Sequence, residues 1–167
     1  MIIGVPKENF PGERRVSLVP MVIPNLTKAG FEVCIEAGAG VGAGYPDAEY
    51  TAKGAKTVAT RGEVFKTADV ITQVLAPGSN DKTGKDDIPL LRREQLLIGF
   101  LRPLGSLDTL RQIAATGASA FSVELVPRIT RAQNMDALSS MATICGYKAV
   151  LLAADHLPRI FPMGSAS

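Results

Sequence analysis

The sequence predicts a doubly wound α/β fold, a mainly parallel sheet with helices on both faces. Short apolar runs alternate with amphipathic ones along the chain. The run from Val70 to Leu75 is rich in β-branched residues, and Leu96 to Leu101 is apolar enough for a strand buried on both faces. Strands that alternate with helices pair in parallel through right-handed crossovers.

Each element has a local reason. Ile2 to Val5 reads as a strand. Met21 to Ala29 reads as a helix stopped at Gly30, a residue suited to the position just past a helix end. Phe31 to Glu36 alternates at period two, as a strand does. Pro46 to Lys53 reads as a helix with proline in its first turn and Gly54 after its end. Thr57 to Ala59 suits a short strand and Arg61 to Lys66 a short helix. Gly78 to Asp87 is polar and reads as an exposed loop, with the charge run Lys82 to Asp87 solvated. Ser106 to Ala115 reads as a helix capped by Ser106, and Ala118 to Val123 as a strand. Met135 to Asp155 reads as one long helix that ends before Pro158. The whole is Rossmann-like or flavodoxin-like, with a first domain over 1–134, a linking helix over 135–161 and a patternless tail over 162–167.

Composition narrows the function classes. The chain has 167 residues, which suits one domain or one domain with a portion of a second. Hydrophobic residues at 46% and charged residues at 20% exclude a largely disordered chain. Eighteen basic side chains nearly balance sixteen acidic ones, so nothing in the charge favours nucleic acid. No apolar run is expected to reach a membrane span, since Ala149 to Ala154 is far too short. The opening residues lack the layout of a signal peptide. Cys34 and Cys145 have no metal-ligand spacing, and a reduced setting with both thiols buried is the expectation.

Three segments carry candidate chemistry. Gly38-Ala39-Gly40-Val41-Gly42-Ala43 follows a strand and fits a dinucleotide fingerprint with alanine in third place. Tyr45-Pro46 delays the helix whose N-terminus would face a pyrophosphate, so a plain glycine-rich loop stands as the other reading. Lys7-Glu8 and Glu13-Arg14-Arg15 follow the first strand, where ligands bind beyond the carboxyl ends of an open sheet. Arg15 could clamp a carboxylate or phosphate there, or the segment is a solvated loop with internal ion pairs. The third segment holds Arg128, Arg131, Gln133, Asp136, Ser139 and Ser140 within thirteen residues. Asp136 also suits a helix cap, with its charge in the first turn. Met135 and Met141 suit a core, and His156 suits the end of a helix. No Ser/His/Asp arrangement can be assembled from a single histidine.

These residues carry a family resemblance. Gly4-Val5-Pro6-Lys7-Glu8, Glu13-Arg14-Arg15-Val16, Pro20, Leu26, Lys28, Gly30 and Glu36-Ala37-Gly38-Ala39-Gly40 resemble the opening signature of alanine dehydrogenases and of the nicotinamide nucleotide transhydrogenase α subunit. Gly12 stands where that signature has Asn, and Val19 where it has Ser or Thr. Val126 to Gln133, then Asp136 to Met141 and Gly146-Tyr147, are similar to the transhydrogenase branch in particular. The resemblance runs to about Phe161.

The resemblance implies a role in NAD(P) transhydrogenase, with direct hydride transfer between NAD(H) and NADP(H) coupled to proton translocation. Arg128, Gln133, Asp136 and Ser139 would hold the carboxamide and ribose of NAD(H), lined by Ile129, Thr130, Asn134 and Met135. Arg128, Gln133 and Asp136 would be the catalytic set. NADP(H) would sit on a partner domain. The implied partners are the membrane-spanning and NADP-binding transhydrogenase subunits and a second copy of this chain. The implied setting is cytoplasmic, peripheral to the membrane. Two alternatives stand beside it: an alanine-dehydrogenase-like oxidoreductase fragment, and a non-catalytic binding or assembly module. Against the first, the resemblance puts Leu75 and Arg102 where alanine dehydrogenases use a lysine and a histidine. Leucine cannot polarise a keto oxygen, and arginine does not relay protons near neutral pH.

Overall fold

A computed structural model describes residues 1–160. Residue 161 of the expected linking helix and the whole 162–167 tail lie outside the described residues. The chain divides into two compact units, Met1–Leu125 and a second from Val126 onward.

The first unit is a six-stranded sheet with helices. In chain order its strands are β1 (Ile2–Val5), β2 (Glu32–Glu36), β3 (Lys56–Val58), β4 (Val70–Leu75), β5 (Leu96–Phe100) and β6 (Ser119–Ser122). Its helices are α1 (Ile23–Lys28), α2 (Asp47–Ala52), α3 (Arg61–Thr67) and α4 (Leu107–Ala115). The strand order is β3-β2-β1-β4-β5-β6, and every pairing is parallel. That order is the Rossmann one and not the flavodoxin one, and it puts the topological switch between β1 and β4.

Alternate strand residues feed two cores. Cys34, Ile71 and Leu97 pack with Val64, Phe65 and Ile113 on one side. Val33, Ile35 and Val70 pack with Ile23 and Tyr50 on the other. The period-two side-chain direction of a strand divides a continuous apolar run between two faces in this way.

Local signals set the ends of the elements. Gly30, at φ +87°, turns the chain out of α1 into β2. Thr60 and Glu63 cap α3 reciprocally, each side chain bonding the other's end of the first turn. Gln95 is fully buried and closes the other end of α3, its amide donating to the carbonyls of Phe65 and Ala68 at 2.8 and 2.7 Å.

The structure corrects several expectations in this unit. The 78–87 segment is the expected exposed loop only in part: Asp81, Lys82, Lys85 and Asp86 are exposed, but Asn80, Gly84 and Asp87 are buried and a 3-10 helix covers Gly84–Leu90. Asp87 is only 1% exposed in its side chain. It accepts two bonds from the Arg61 guanidinium at 2.5 and 2.6 Å, and one from the Gln73 amide at 2.9 Å. A carboxylate can be buried when donors replace its water in this way. Ser106 occupies the cap position of α4 but makes no cap bond. Its hydroxyl donates instead to the carbonyls of Leu101 and Arg102, both at 2.8 Å.

The second unit holds a 3-10 helix (Thr130–Met135) and then α5 (Ala137–His156). Helix α5 starts two residues later than expected, after Asp136 as its cap. It contains no buried residue. Met135, in the 3-10 helix before α5, is exposed, and Met141, on α5, is only half-buried, so neither is a core residue here. Cys34 is buried as expected, but Cys145, on α5, is exposed. Helix α5 also corrects the expectation about membrane spans. Its twenty residues, with mean hydropathy 1.4 over the most apolar window, are long and apolar enough to cross one by length and composition. Ser139, Ser140, Thr143 and Lys148 break the run into short apolar pieces without lowering the average much.

The Arg61–Asp87 pair yields a stability prediction. Arg61→Met leaves a buried carboxylate without its charged partner and should cost about 3–5 kcal/mol in denaturant unfolding. A loss below about 1 kcal/mol, the range of surface pairs, would contradict the role given to this pair.

Candidate functional site

The three candidate segments fare differently. In the glycine loop, the Asp47 carboxylate takes the Gly38 amide with both oxygens, at 2.9 and 3.0 Å. A Cβ on Gly40 would come within 2.5 Å of the Tyr50 ring and 2.6 Å of the Tyr45 carbonyl. The 3-10 turn Val41–Ala43 follows, and α2 begins only at Asp47. Close packing accounts for the glycine, and the helix start is displaced from the loop. The plain-loop reading of 38–43 holds.

The Lys7–Arg15 segment sits at the switch between β1 and β4, and it bonds to its own chain. Backbone pairing between these strands covers only Ile3–Val70 and Gly4–Ile71, and β4 is irregular between Thr72 and Leu75. Side chains complete the gap. Glu8 accepts from the amides of Val74 and Leu75 at 2.6 and 3.1 Å, and Ser17 donates to the Thr72 carbonyl at 2.8 Å. Burial pushes the Glu8 carboxyl up from its ordinary value, against the pull of those amides. Glu13 meets Arg15 through two bonds, 2.8 and 2.5 Å, and also accepts the amides of Arg14 and Arg15. The Arg15 side chain holds Glu13 below the usual carboxylate range. The guanidinium edge that would clamp a ligand is thus turned to Glu13. Internal ion pairing holds as expected, but Glu8 and Glu13 are partly buried and the segment is not a solvated loop.

The 126–139 segment forms a recess. Residues Arg128, Ile129, Thr130, Gln133, Asp136 and Ser139 line about 590 Å³. Short backbone bonds shape it: Ala132 to the Ile129 carbonyl at 2.9 Å, and Asp136 to the Gln133 carbonyl at 3.2 Å. Ala132 is the buried foot of this turn. Its burial leaves Thr130 and Gln133 outward. Asn134 and Met135 are exposed and do not line the recess.

Asp136 is at once the cap of α5 and a section of the recess wall. It accepts the Ser139 amide at 2.9 Å and the Ser139 hydroxyl at 2.6 Å. Arg128 Nε lies 4.0 Å from Oδ2, the oxygen that takes the Ser139 hydroxyl. The Ser139 hydroxyl, then the Ser139 amide, and more weakly the Arg128 charge hold this carboxyl below its ordinary value. The Gln133 amide makes no hydrogen bond among the described residues, so its donors and acceptor are available to a ligand. A guanidinium, an amide and an oriented carboxylate on one wall suit a neutral, planar group with both donors and acceptors.

Leu75 ends β4, half-buried, and Arg102 follows β5 at φ +49°. His156 closes the last turn of α5, as expected. No cluster of three His, Cys, Asp or Glu groups is found among the described residues. Sequence reasoning missed Arg61, Asp87 and a second recess beside α4. The one signal for that recess in the sequence is Ser106, whose residue type suits a helix cap equally well.

Comparison with known proteins places these features in a family. Residues 4–145 match the family described as alanine dehydrogenase/PNT, N-terminal domain. The chain is 40% identical over 161 residues to NAD(P) transhydrogenase subunit alpha of Cereibacter sphaeroides, covering 96% of this chain and 30% of that protein. It is 35% identical over 162 residues to an alanine dehydrogenase of Methanococcus maripaludis, covering 95% of this chain and 40% of that protein. The solved transhydrogenase from Sinorhizobium meliloti superimposes with a TM-score of 0.87 at 38% identity, covering 99% of this chain and 48% of that one. The chain spans less than half the length of each of these relatives. A match that runs from Gly4 to Cys145, through the sheet and the recess alike, makes this chain a member of the alanine dehydrogenase/PNT N-terminal domain family.

Proposed function

We propose that this chain is the amino-terminal region of a NAD(P) transhydrogenase α subunit, and that its 128–139 segment holds the nicotinamide end of NAD(H). The observation that carries the reading is the recess whose wall joins Arg128, Thr130, Gln133, Asp136 and Ser139, with the Gln133 amide uncommitted. The complete enzyme would pass hydride between NAD(H) and NADP(H) and couple it to proton translocation. NADP(H) would be held by a partner domain.

The residues fit the group they would hold. A carboxamide offers one acceptor and two donors, which Gln133 can match and Arg128 and Asp136 can flank. Bound NAD(H) supplies the hydride-carrying ring. This chain's contribution is alignment. Gln133 fixes the rotation of the amide, Asp136 accepts from an N–H or hydroxyl, and Arg128 donates beside it. Ile129 and Thr130 line the floor, with Asn134 and Met135 at the margin. Ser139 is a positioning residue, because it holds the Asp136 carboxylate through two bonds. Transfer between two rings depends on distance and orientation more than on an acid or base. The alanine-dehydrogenase-like reading would lack the lysine and histidine it needs, since the resemblance puts Leu75 and Arg102 in those places.

The partners follow from this reading. The relatives are about twice as long or longer, and we assign the exposed apolar length of α5 to contact with the rest of the subunit. The chain would then be peripheral to the membrane on its cytoplasmic side, joined to it through the membrane-spanning subunits, with a second copy as dimer partner. The 167-residue chain alone should give no turnover.

Two outcomes are expected. In the complete enzyme, Gln133→Leu should lower the hydride-transfer rate about tenfold or more, because a misaligned ring loses about that much. Circular dichroism and thermal melting should stay as in the parent. A parent-like rate in Gln133→Leu would remove the role given to that amide. The second concerns pH. Asp136 has a folded value below its ordinary one, so its cap is in full force above the usual aspartate range and is lost as pH falls through the lowered value. Helical signal from α5 should decline only at acid pH, and Asp136→Asn should remove that acid step. An acid step of unchanged size in the variant would assign it to another group.

A further inference from the structure

The carboxyl ends of β4 and β5 open into a recess of about 550 Å³ beside the first turn of α4. Helix α4 begins at Leu107, so the amides of Leu107, Asp108 and Thr109 have no acceptor within the helix. Ser106 does not serve them, because its cap bond is absent and its hydroxyl faces two carbonyls. Thr109 gives an independent observation. It lines the recess, is only 8% exposed, and its hydroxyl has no hydrogen-bond partner among the described residues. Nor is that hydroxyl sealed in the core, where Gln73 Oε1 is the one buried orphan among the described residues. A buried hydroxyl that opens on a recess and bonds nothing marks a place for a ligand atom.

The charges around it favour an anion. Lys85 and Arg102 line the recess and form no ion pair among the described residues. Arg111 is paired with Asp108 at the rim, at 2.9 Å. Asp81 is the one opposing carboxylate without an ion pair there among the described residues. Two such cations, a helix end with its positive dipole and a waiting hydroxyl exceed what one carboxylate offsets.

We propose that this recess binds a phosphate-type oxyanion, held by the Leu107–Thr109 amides and the Thr109 hydroxyl and neutralised by Lys85 and Arg102. The anion is either inorganic phosphate or the terminal group of a phosphate ester. The inference is independent of the nicotinamide reading, which rests on other residues.

The test is an amide-resonance titration of the ¹⁵N-labelled chain with inorganic phosphate and, separately, with glycerol phosphate, at constant ionic strength set with chloride. The Leu107, Asp108 and Thr109 amides should shift and saturate. Lys85→Gln and Thr109→Val should each weaken binding about threefold or more, the loss of one hydrogen bond. Tighter binding of glycerol phosphate identifies an ester as the ligand, and equal binding identifies free phosphate. Shifts that rise without saturating, or that persist unchanged in Lys85→Gln, mean an adventitious ion only and overturn the proposal. Lys85 is exposed, so its variant keeps the test valid if Thr109→Val folds poorly.

Discussion

The guanidinium of Arg61 is the point on which the first unit turns. It sits at the start of α3, on the carboxyl side of the sheet, and reaches three segments outside its own helix. It binds Asp87 through two bonds, donates to the Lys7 carbonyl at 2.5 Å and lies 3.7 Å from Glu36. Its plane also stands over the Phe65 ring, 5.6 Å from the centroid. Asp87 in turn accepts from Gln73 on β4. One arginine thus joins the ends of β1 and β2, the 3-10 helix after β4 and the core of one face. Only a planar donor fork can serve so many acceptors at once, and lysine could not replace it. The arrangement keeps the carboxyl edge of the sheet ordered, and that edge is where an open α/β fold presents chemistry.

The same edge shows how a fold can close its own switch point. Where β1 and β4 part, a crevice opens in many sheets of this order. Here Glu8 and Ser17 fill the gap with bonds to β4. Glu13 closes on Arg15 nearby. Free polar groups remain in other places: the 128–139 recess of the second unit, and the first turn of α4. In the first of these, Asp136 caps α5 through Ser139 and also lines the recess, so under the proposed function a helix cap and a ligand wall would use the same atoms. The cap orients the carboxylate, and orientation is what a site for a planar amide needs.

Much of the fold was legible because it rests on local pattern. The strands at 2–5, 32–36, 70–75 and 96–100 follow from apolar runs, and the end of α1 at Gly30 follows from backbone chemistry alone. The 126–139 segment stands out in the sequence because its polar residues are dense and exceed what a helix cap requires, and the structure brings Arg128, Gln133, Asp136 and Ser139 to one recess. What escaped depended on partners distant in sequence. Asp87 looks solvated within its charge run, and only Arg61, twenty-six positions earlier, explains its burial. Ser106 looks like a cap, but the carbonyls of Leu101 and Arg102 compete for its hydroxyl. Cys145 and Met135 look like core residues, yet Cys145 lies on α5, which has no buried residue, and Met135 is exposed in the 3-10 helix before it. The choice between Rossmann and flavodoxin order is not written in any one strand, because it depends on which way each crossover runs.

The 128–139 segment is proposed to hold the nicotinamide end of NAD(H). A crystal structure of the complete subunit with NAD⁺ bound tests it most directly. The expected result is the carboxamide within hydrogen-bond distance of the Gln133 side chain, with Asp136 still capping α5 and Arg128 beside it. A nicotinamide bound away from Arg128, Gln133 and Asp136 would contradict it.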